Sequence, residues 1–208
     1  MMPLVLVAIS APIEADPITS VLGRIDALQG YRMTLRSQSS AGEEEVIRYS
    51  YQCSGYVRMD METPYRGAVL IYRPDTGKVQ LWPFGSPGRR PGLSLRPTNR
   101  MVRSSSGHRV DQSDVGTLLR NVQQLQRHGK ARLLEPMTLD GYPVQHVVVE
   151  AEPGRAVHEV ARYDLWLDEE TLFPLRVISY DRRGERLESV HLEDVTLDPA
   201  FPSDHFTP

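Results

Sequence analysis

The feature that most constrains the fold of this chain is a repeated alternation of apolar and polar residues with a period of two. Between residues 31 and 36, for example, Tyr, Met and Leu alternate with Arg or Thr. Because successive side chains of a strand point to opposite faces, this pattern is typical of a strand with one buried face. Further segments of strand character lie at 46–52, 57–62, 67–73, 79–82, 131–139, 144–151, 160–167, 174–180 and 186–197.

These segments are joined mostly by short turns, such as those at 74–77 and 140–141. Strands joined by short turns pair antiparallel, whereas parallel strands need long crossover connections. The sequence therefore predicts a mainly β fold of the α+β class, with a single curved antiparallel sheet of about ten strands.

Two segments have helical periodicity instead. A helix is predicted over 17–29, because Asp16 and Pro17 form a typical helix start and Gly30 a typical helix end. A second helix is predicted over 114–127. Its apolar stripe consists of Val115, Leu118, Leu119, Val122 and Leu125. We expect both amphipathic helices to bury their stripes against the concave face of the sheet.

The composition is that of an ordinary globular protein. The chain has 208 residues, of which 40% are hydrophobic and 25% charged, and this length corresponds to about one domain. No apolar run approaches the ~20 residues of a membrane-spanning helix. The only cysteine, Cys53, excludes an intramolecular disulfide, and we expect it to be a half-buried strand residue.

The N-terminus has an apolar run at 4–9, followed by the small residues Ser10 and Ala11. No cation precedes Arg24, so the basic part of a secretory signal is missing. The run is either the remnant of such a signal or a first strand, and we favour the remnant. Residues 1–15 are then a signal remnant of an exported, periplasmic protein, and 16–208 form a single domain.

The segment 76–110 contains seven lysine and arginine residues and no acidic residue, in a chain of net charge −3. It also contains four prolines, and we expect a long loop or a loose strand there. Nucleic acid is not expected as a partner, because aromatic residues are almost absent after Phe84. An anionic lipid headgroup, an acidic patch on another protein and plain solvent remain three alternatives for this basic loop.

No catalytic or metal-binding motif is present. The six histidines lack the spacing of a zinc site, and no phosphate-binding loop or dinucleotide fingerprint occurs. Asp60 and Glu62 share one face of a strand, where a solvated outer face is favoured over a pair of catalytic carboxylates. We therefore expect no catalytic residue, no metal, no cofactor and no enzymatic activity.

Methionines mark several of the predicted apolar positions, namely Met33, Met59, Met61 and Met101. Methionine side chains are flexible and suit adaptable apolar binding surfaces. Ordinary filling of the core is the alternative interpretation.

The chain resembles LolA/LolB-like envelope proteins. The resemblance rests on Tyr163-Asp164-Leu165-Trp166-Leu167-Asp168, Thr171, Pro174-Leu175-Arg176-Val177, Glu193-Asp194-Val195 and Phe201-Pro202-Ser203-Asp204-His205-Phe206-Thr207-Pro208. The segments 55–59, 107–108 and 111–119 are similar to an uncharacterised branch of the same superfamily. The resemblance implies an unclosed half-barrel with two helices on its concave face. It also implies a periplasmic protein that carries lipoproteins or binds lipid-like ligands, and a related group senses envelope stress.

The expected function is therefore a periplasmic, non-catalytic binding or carrier protein for an acylated ligand, either a lipid or a lipoprotein. The alternation along the strands and the apolar stripe of the second helix indicate which residues form the apolar wall of the expected binding cavity. They are Met33, Leu35, Val57, Met59, Met61, Leu118 and Val122. Arg96, Arg100 and Arg103 are the expected contacts to a lipid headgroup, to a partner protein or to a membrane surface.

Two other functions are weighed against this one. The first is an envelope sensor or accessory module that binds a protein partner through the basic loop 85–110. The second is an enzyme that uses Asp60 and Glu62, which no motif supports.

Overall fold

The computed structural model describes residues 16–85, 87–88 and 91–207. Its strands are β1 (Gly30–Ser39), β2 (Glu44–Gln52), β3 (Tyr56–Thr63), β4 (Val69–Arg73), β5 (Lys78–Trp82), β6 (Leu93–Leu95), β7 (Gly129–Leu133), β8 (Met137–Leu139), β9 (Tyr142–Ala151), β10 (Arg162–Asp168), β11 (Pro174–Tyr180) and β12 (Arg186–Leu197). They form one antiparallel sheet in the order β6-β5-β4-β3-β2-β1-β12-β11-β10-β9-β7, and β8 also pairs with β9. The sheet does not close, which confirms the predicted half-barrel.

Two helices accompany the sheet, α1 (Pro17–Asp26) and α2 (Val115–Gln126). Asp16 caps α1 by accepting a hydrogen bond from the backbone N–H of Thr19, as the Asp-Pro start predicts. Asp114 caps α2 in the same way through Thr117. The helix α1 ends at Asp26 rather than at residue 29, and Gly30 is already the first residue of β1. The predicted end of α2 at residue 127 is within one residue of the observed Gln126.

The main core lies between the helices and the inner face of the sheet. Ile18 and Val21 of α1 and Leu119 of α2 are fully buried there. The Tyr31 hydroxyl accepts a hydrogen bond from the backbone N–H of Val115 (2.8 Å), which joins β1 to the start of α2. Tyr31 also packs on Phe173 and on tyrosines of β2.

The outer face carries a smaller core under the C-terminal segment. Val69 and Ile71 of β4 and Trp82 of β5 are buried there with Phe206. The Arg58 guanidinium donates a hydrogen bond to the backbone carbonyl of His205 (3.0 Å) and so holds this segment in place. Because the C-terminal segment covers the outer face of β4, this strand is apolar on both faces.

The number of strands and the structure of the basic loop also differ from the sequence prediction. The sheet has twelve strands rather than about ten, in part because the predicted strand 131–139 is divided into β7 and β8 before and after Pro136, which has no N–H to donate. The loop 83–110 contains β6 and two short 3₁₀ turns, Arg100–Val102 and Val110–Gln112.

The prediction for Cys53 is wrong, because this residue is exposed. The strand β2 ends at Gln52, and the chain then turns through Ser54 and Gly55, which both have positive φ. Cys53 thus lies in a turn that has no sheet neighbour to bury it.

The predicted signal remnant at 1–15 lies outside the described residues. Within the part of the chain that the structure describes, no helix is long and apolar enough to cross a membrane.

Candidate functional site

A cavity of about 490 Å³ lies between the inner face of the sheet and the segment that leads into α2. Its volume falls in the range of small-molecule sites, roughly 300–1,000 Å³. Most of the side chains that line it are aliphatic or methionine, and they come from both halves of the sheet.

The cavity exists because the inner core is filled unequally along the strands. On β1, the buried Tyr31 is followed towards the cavity by Met33 and Leu35. On β3, Val57 is followed by Met59 and Met61 in the same way. The helices and the tyrosines of β1 and β2 fill one end, whereas at the other end the strands carry flexible methionines and only one side of α2 faces the cavity.

The structure brings five of the seven predicted wall residues together on this cavity: Met33, Leu35, Met59, Met61 and Leu118. Val57 and Val122 belong to the filled core instead, where both are buried. Val57 has the predicted position on its strand and Val122 the predicted position on its helix stripe, but neither side chain lines the cavity. Met101 also lines the cavity, and its side chain is 61% exposed at the edge.

Several lining residues were missed by sequence reasoning. They include Ile47, Leu70, Leu81, Tyr163, Val177 and Leu192. The apolar patterns of the strands correctly indicate that these residues are buried. They do not indicate which end of the sheet the helices leave open. No local signal in the sequence could have selected them.

The segment 96–114, called the strap below, forms the wall opposite the sheet. It runs from β6 to α2, and its central part is a hairpin in which Arg103 pairs with Arg109. Val102 and Val110 flank this hairpin and are buried in the main core. The strap is thus anchored on both sides of its hairpin.

Two carboxylates bind the tip of this hairpin from the sheet. Glu45 of β2, only 6% exposed, accepts a hydrogen bond from the backbone N–H of Ser105 (2.8 Å). Glu188 of β12 accepts one from the Ser106 hydroxyl (2.8 Å) and lies 2.9 Å from the His108 Nε2. Glu45, His108 and Glu188 all line the cavity, so this is its polar corner.

The charges of this corner are coupled. The hydrogen bond and the charge of Glu188 raise the pKa of His108 above its ordinary value. Burial opposes ionisation of Glu188, but the hydrogen bonds from His108 and Ser106 outweigh it and lower the pKa of this carboxyl. Burial raises the pKa of Glu45, to which the charge of Glu188 adds. Burial and the charge of Glu188 raise the pKa of Tyr163 to about 12.

The three predicted arginines lie on the strap or at its start, and all are exposed. Arg103 lines the cavity, whereas Arg96 and Arg100 do not. None of the three forms an ion pair with another described residue. Their guanidinium groups are therefore available to an anion.

Asp60 and Glu62 lie in a separate and more polar groove of about 670 Å³. Each forms an ion pair, Asp60 with Arg58 (2.8 Å) and Glu62 with Arg48 (3.2 Å). Among the described residues, no group of three or more His, Cys, Asp or Glu side chains is arranged to hold a metal ion.

The fold and the cavity together define an open antiparallel half-barrel with an apolar interior beneath a helix and a strap. No family model and no curated protein matches the sequence, but solved structures match the fold. The structure of MucB aligns over 92% of this chain with a TM-score of 0.57 and 17% identity. The Pseudomonas aeruginosa MucA/MucB complex gives a TM-score of 0.55 over 93% of this chain, also at 17% identity.

The lipoprotein LppX of Mycobacterium tuberculosis aligns over 90% of this chain and 96% of its own, with a TM-score of 0.53 and 8% identity. In the two MucB matches, by contrast, this chain covers 61% of the other chain. At these identities the similarity concerns the fold alone. The open half-barrel expected from the sequence is therefore confirmed as a fold.

Proposed function

We propose that this protein is a non-catalytic binding or carrier protein of the cell envelope, whose ligand is the acyl chain of a lipid or a lipoprotein. The observation that carries this proposal is the apolar cavity of about 490 Å³ beneath the strap. Catalysis is not part of the proposal, because the cavity carboxylates Glu45 and Glu188 are engaged with the strap and Asp60 and Glu62 are paired with arginines.

An acyl chain suits this cavity for two physical reasons. Each CH₂ group that leaves water contributes about 0.8 kcal/mol, so a partly inserted chain already binds. The methionines among the lining residues can adapt to chains of different length, because they have several rotatable bonds.

The proposed location in the cell envelope rests on a matched structure and on the N-terminal sequence. The matched structures include the lipoprotein LppX of Mycobacterium tuberculosis. Export to the periplasm is compatible with the apolar run at 4–9. The exposed Arg96, Arg100 and Arg103 would then meet an anionic headgroup beside the cavity.

The direct test is native mass spectrometry of the protein purified from its own envelope, followed by solvent extraction and lipid analysis. We expect a bound acyl species. A protein that arrives empty and also fails to bind 11-(dansylamino)undecanoic acid would contradict the proposal.

A matched pair of variants locates the binding site. Met61 lines the cavity, whereas Met137 is partly exposed on β8, away from it. We expect Met61→Gln to weaken binding of the dansylated acid several-fold and Met137→Gln to leave it unchanged. Equal effects of the two substitutions would place the probe outside the cavity.

A second candidate function is the recognition of a protein partner, since the matched structures include complexes of MucB with MucA. The strap would be the contact surface through its three unpaired arginines. Reversal of their charges, Arg96→Glu with Arg100→Glu and Arg103→Glu, should then abolish capture of an envelope protein.

A further inference from the structure

We propose that the hairpin 103–109 of the strap is a pH-responsive flap over the polar corner of the cavity, latched to the sheet by Glu45 and Glu188. The proposal rests on the proposed function for its ligand, but the opening of the flap is measurable without one.

The hairpin has the construction of a flap. Its two ends are fixed, since Val102 and Val110 are buried in the main core. Its own bonds keep it folded, because the Ser104 N–H donates to the His108 carbonyl (3.1 Å) and the Gly107 N–H donates to the Ser104 carbonyl (2.9 Å). A hairpin that is held together by its own hydrogen bonds and anchored at both ends can move at its tip without unfolding.

The tip is latched across three neighbouring strands. Glu45 lies on β2 and Glu188 on β12, on either side of β1. The bonds from Ser105, Ser106 and His108 to these two carboxylates join the tip to the sheet. All three donors lie within four residues of one another, so loss of one bond weakens the whole latch.

The latch contains three groups whose charge changes near neutral pH or below it, namely His108, Glu188 and Glu45. The raised pKa of Glu45 acts in the same direction as that of His108, because ionisation of this carboxyl is disfavoured in the closed state. His108 is 60% exposed on its side chain, whereas Glu188 is 13% exposed, so a proton can reach the pair from solvent. The charged groups that face His108 are Glu188 and Glu45, and Glu188 also faces Tyr163. At the base of the hairpin, Arg109 is held by Asp111.

The sign of the pH dependence follows from these contacts. Because the pKa of His108 is raised, its contribution to the closed state is complete below the ordinary histidine value of 6.5 and is lost as pH rises through the raised value. The lowered pKa of Glu188 means that its contribution is lost only as pH falls below the ordinary glutamate value of 4.5. The flap should be closed in mildly acidic solution and should open more often as the solution becomes alkaline.

Hydrogen exchange of the Ser105 backbone amide, with no ligand added, tests this directly. After correction for the intrinsic pH dependence of exchange, we expect the opening of this amide to increase about fivefold between about pH 5.5 and pH 8.5, the upper range for a partly exposed ion pair. His108→Gln retains a donor without a titrating charge, and Glu188→Gln removes the carboxylate. Both variants should remove most of this increase and leave only the smaller part that the titration of Glu45 contributes.

Glu193→Gln is the matched control. Glu193 lies on the same strand as Glu188 and also forms an ion pair, with Arg36 (2.7 Å), but it does not contact the strap. In Glu193→Gln, the opening of the Ser105 amide should increase with pH as much as it does in the wild-type protein. Corrected protection that stays constant with pH in the wild-type protein, or an increase in opening that is as large in His108→Gln as in the wild-type protein, would overturn the proposal.

The association rate of N-phenyl-1-naphthylamine, an uncharged apolar probe over this pH range, separates the two proposals. We expect the probe to associate faster at about pH 8.5 than at about pH 5.5 in the wild-type protein and in Glu193→Gln. We expect a much smaller difference in His108→Gln and Glu188→Gln. A probe that binds at the same rate at both values would show that the flap does not gate the cavity. A probe that does not bind at all would overturn the proposed function, and exchange at Ser105 would still decide whether the flap exists.

Discussion

One end of the concave face is filled and the other is hollow, although the same three strands cross both ends. At the filled end β1, β2 and β3 contribute Tyr31, Tyr49 and Val57 beneath the two helices. At the hollow end the same strands contribute Met33, Ile47 and Met59, among others, and only the strap and the side of α2 lie opposite. The strands therefore have a filled half and a hollow half.

The difference shows how a half-barrel can be stable and hollow at once. Large rigid rings and close-packed helices lower the free energy of the folded state at one end. The other end forgoes part of that packing and retains space for a ligand. Substitutions should therefore have opposite effects on stability and on binding at the two ends.

The largest expected contrast lies between two neighbouring residues of α2. Leu119 is fully buried at the filled end, whereas Leu118 lines the cavity. Leu119→Ala should lower the free energy of unfolding by about 2–5 kcal/mol, because it removes close packing, and Leu118→Ala by less than about 1 kcal/mol. Urea denaturation measures both values. Equal losses would show that the cavity is as tightly packed as the core.

A smaller contrast is expected between two tyrosines. Tyr31→Phe leaves the buried N–H of Val115 without its acceptor and should cost about 1–3 kcal/mol. No hydrogen bond to the Tyr163 hydroxyl occurs within the described residues, and this side chain lines the cavity. Tyr163→Phe should therefore change stability by no more than about 0.5 kcal/mol. A comparable loss in both variants, again from urea denaturation, would contradict the assignment of Tyr31 to the filled end.

The smallest effect concerns the helix that closes the filled end. The Asp16 carboxylate accepts hydrogen bonds from Thr19 and from the Gln126 side chain of α2 (2.7 Å). Although burial opposes ionisation, these bonds lower the pKa of Asp16 below its ordinary 3.8. Asp16→Ala should cost about 1 kcal/mol at neutral pH. The cost should disappear as pH falls through the lowered value, since the protonated carboxyl no longer stabilises the fold.

Denaturation of wild-type protein and Asp16→Ala at about pH 6 and about pH 3 measures this change. Asp26→Ala is the control, because Asp26 ends the same helix and makes only an exposed contact of 3.5 Å with Arg120. A cost for Asp16→Ala that does not change with pH would mean that the cap acts through packing rather than through its charge.

Local sequence patterns were sufficient to predict most of the helices and strands and their order along the chain. Period-two alternation identified most of the long strands, and the Asp-Pro start and the stripe around Leu119 identified both helices. The short strands β6 and β8 were not separated from their surroundings, because three residues carry too little periodicity. Cys53 was assigned to a strand because nothing at that position indicates that the pairing has already ended.

The candidate site was only partly predictable. Met33, Leu35, Met59, Met61 and Leu118 were expected on a common apolar wall, and the structure brings them onto one cavity. Val57 and Val122 have the same local pattern but lie in the filled core. The polar corner was not predicted at all, because Glu45 and Glu188 are far apart in the sequence and each is unremarkable in its own strand.

The sequence by itself determined that this chain forms an antiparallel sheet with two amphipathic helices, because periodicity and helix caps depend on neighbouring residues. Only the tertiary structure decided where the sheet is filled and where it stays hollow. That outcome depends on which end of a curved surface the two helices cover, and on a strap that two distant carboxylates hold across the other end. Both are contacts between residues remote in sequence, so no local pattern specifies them.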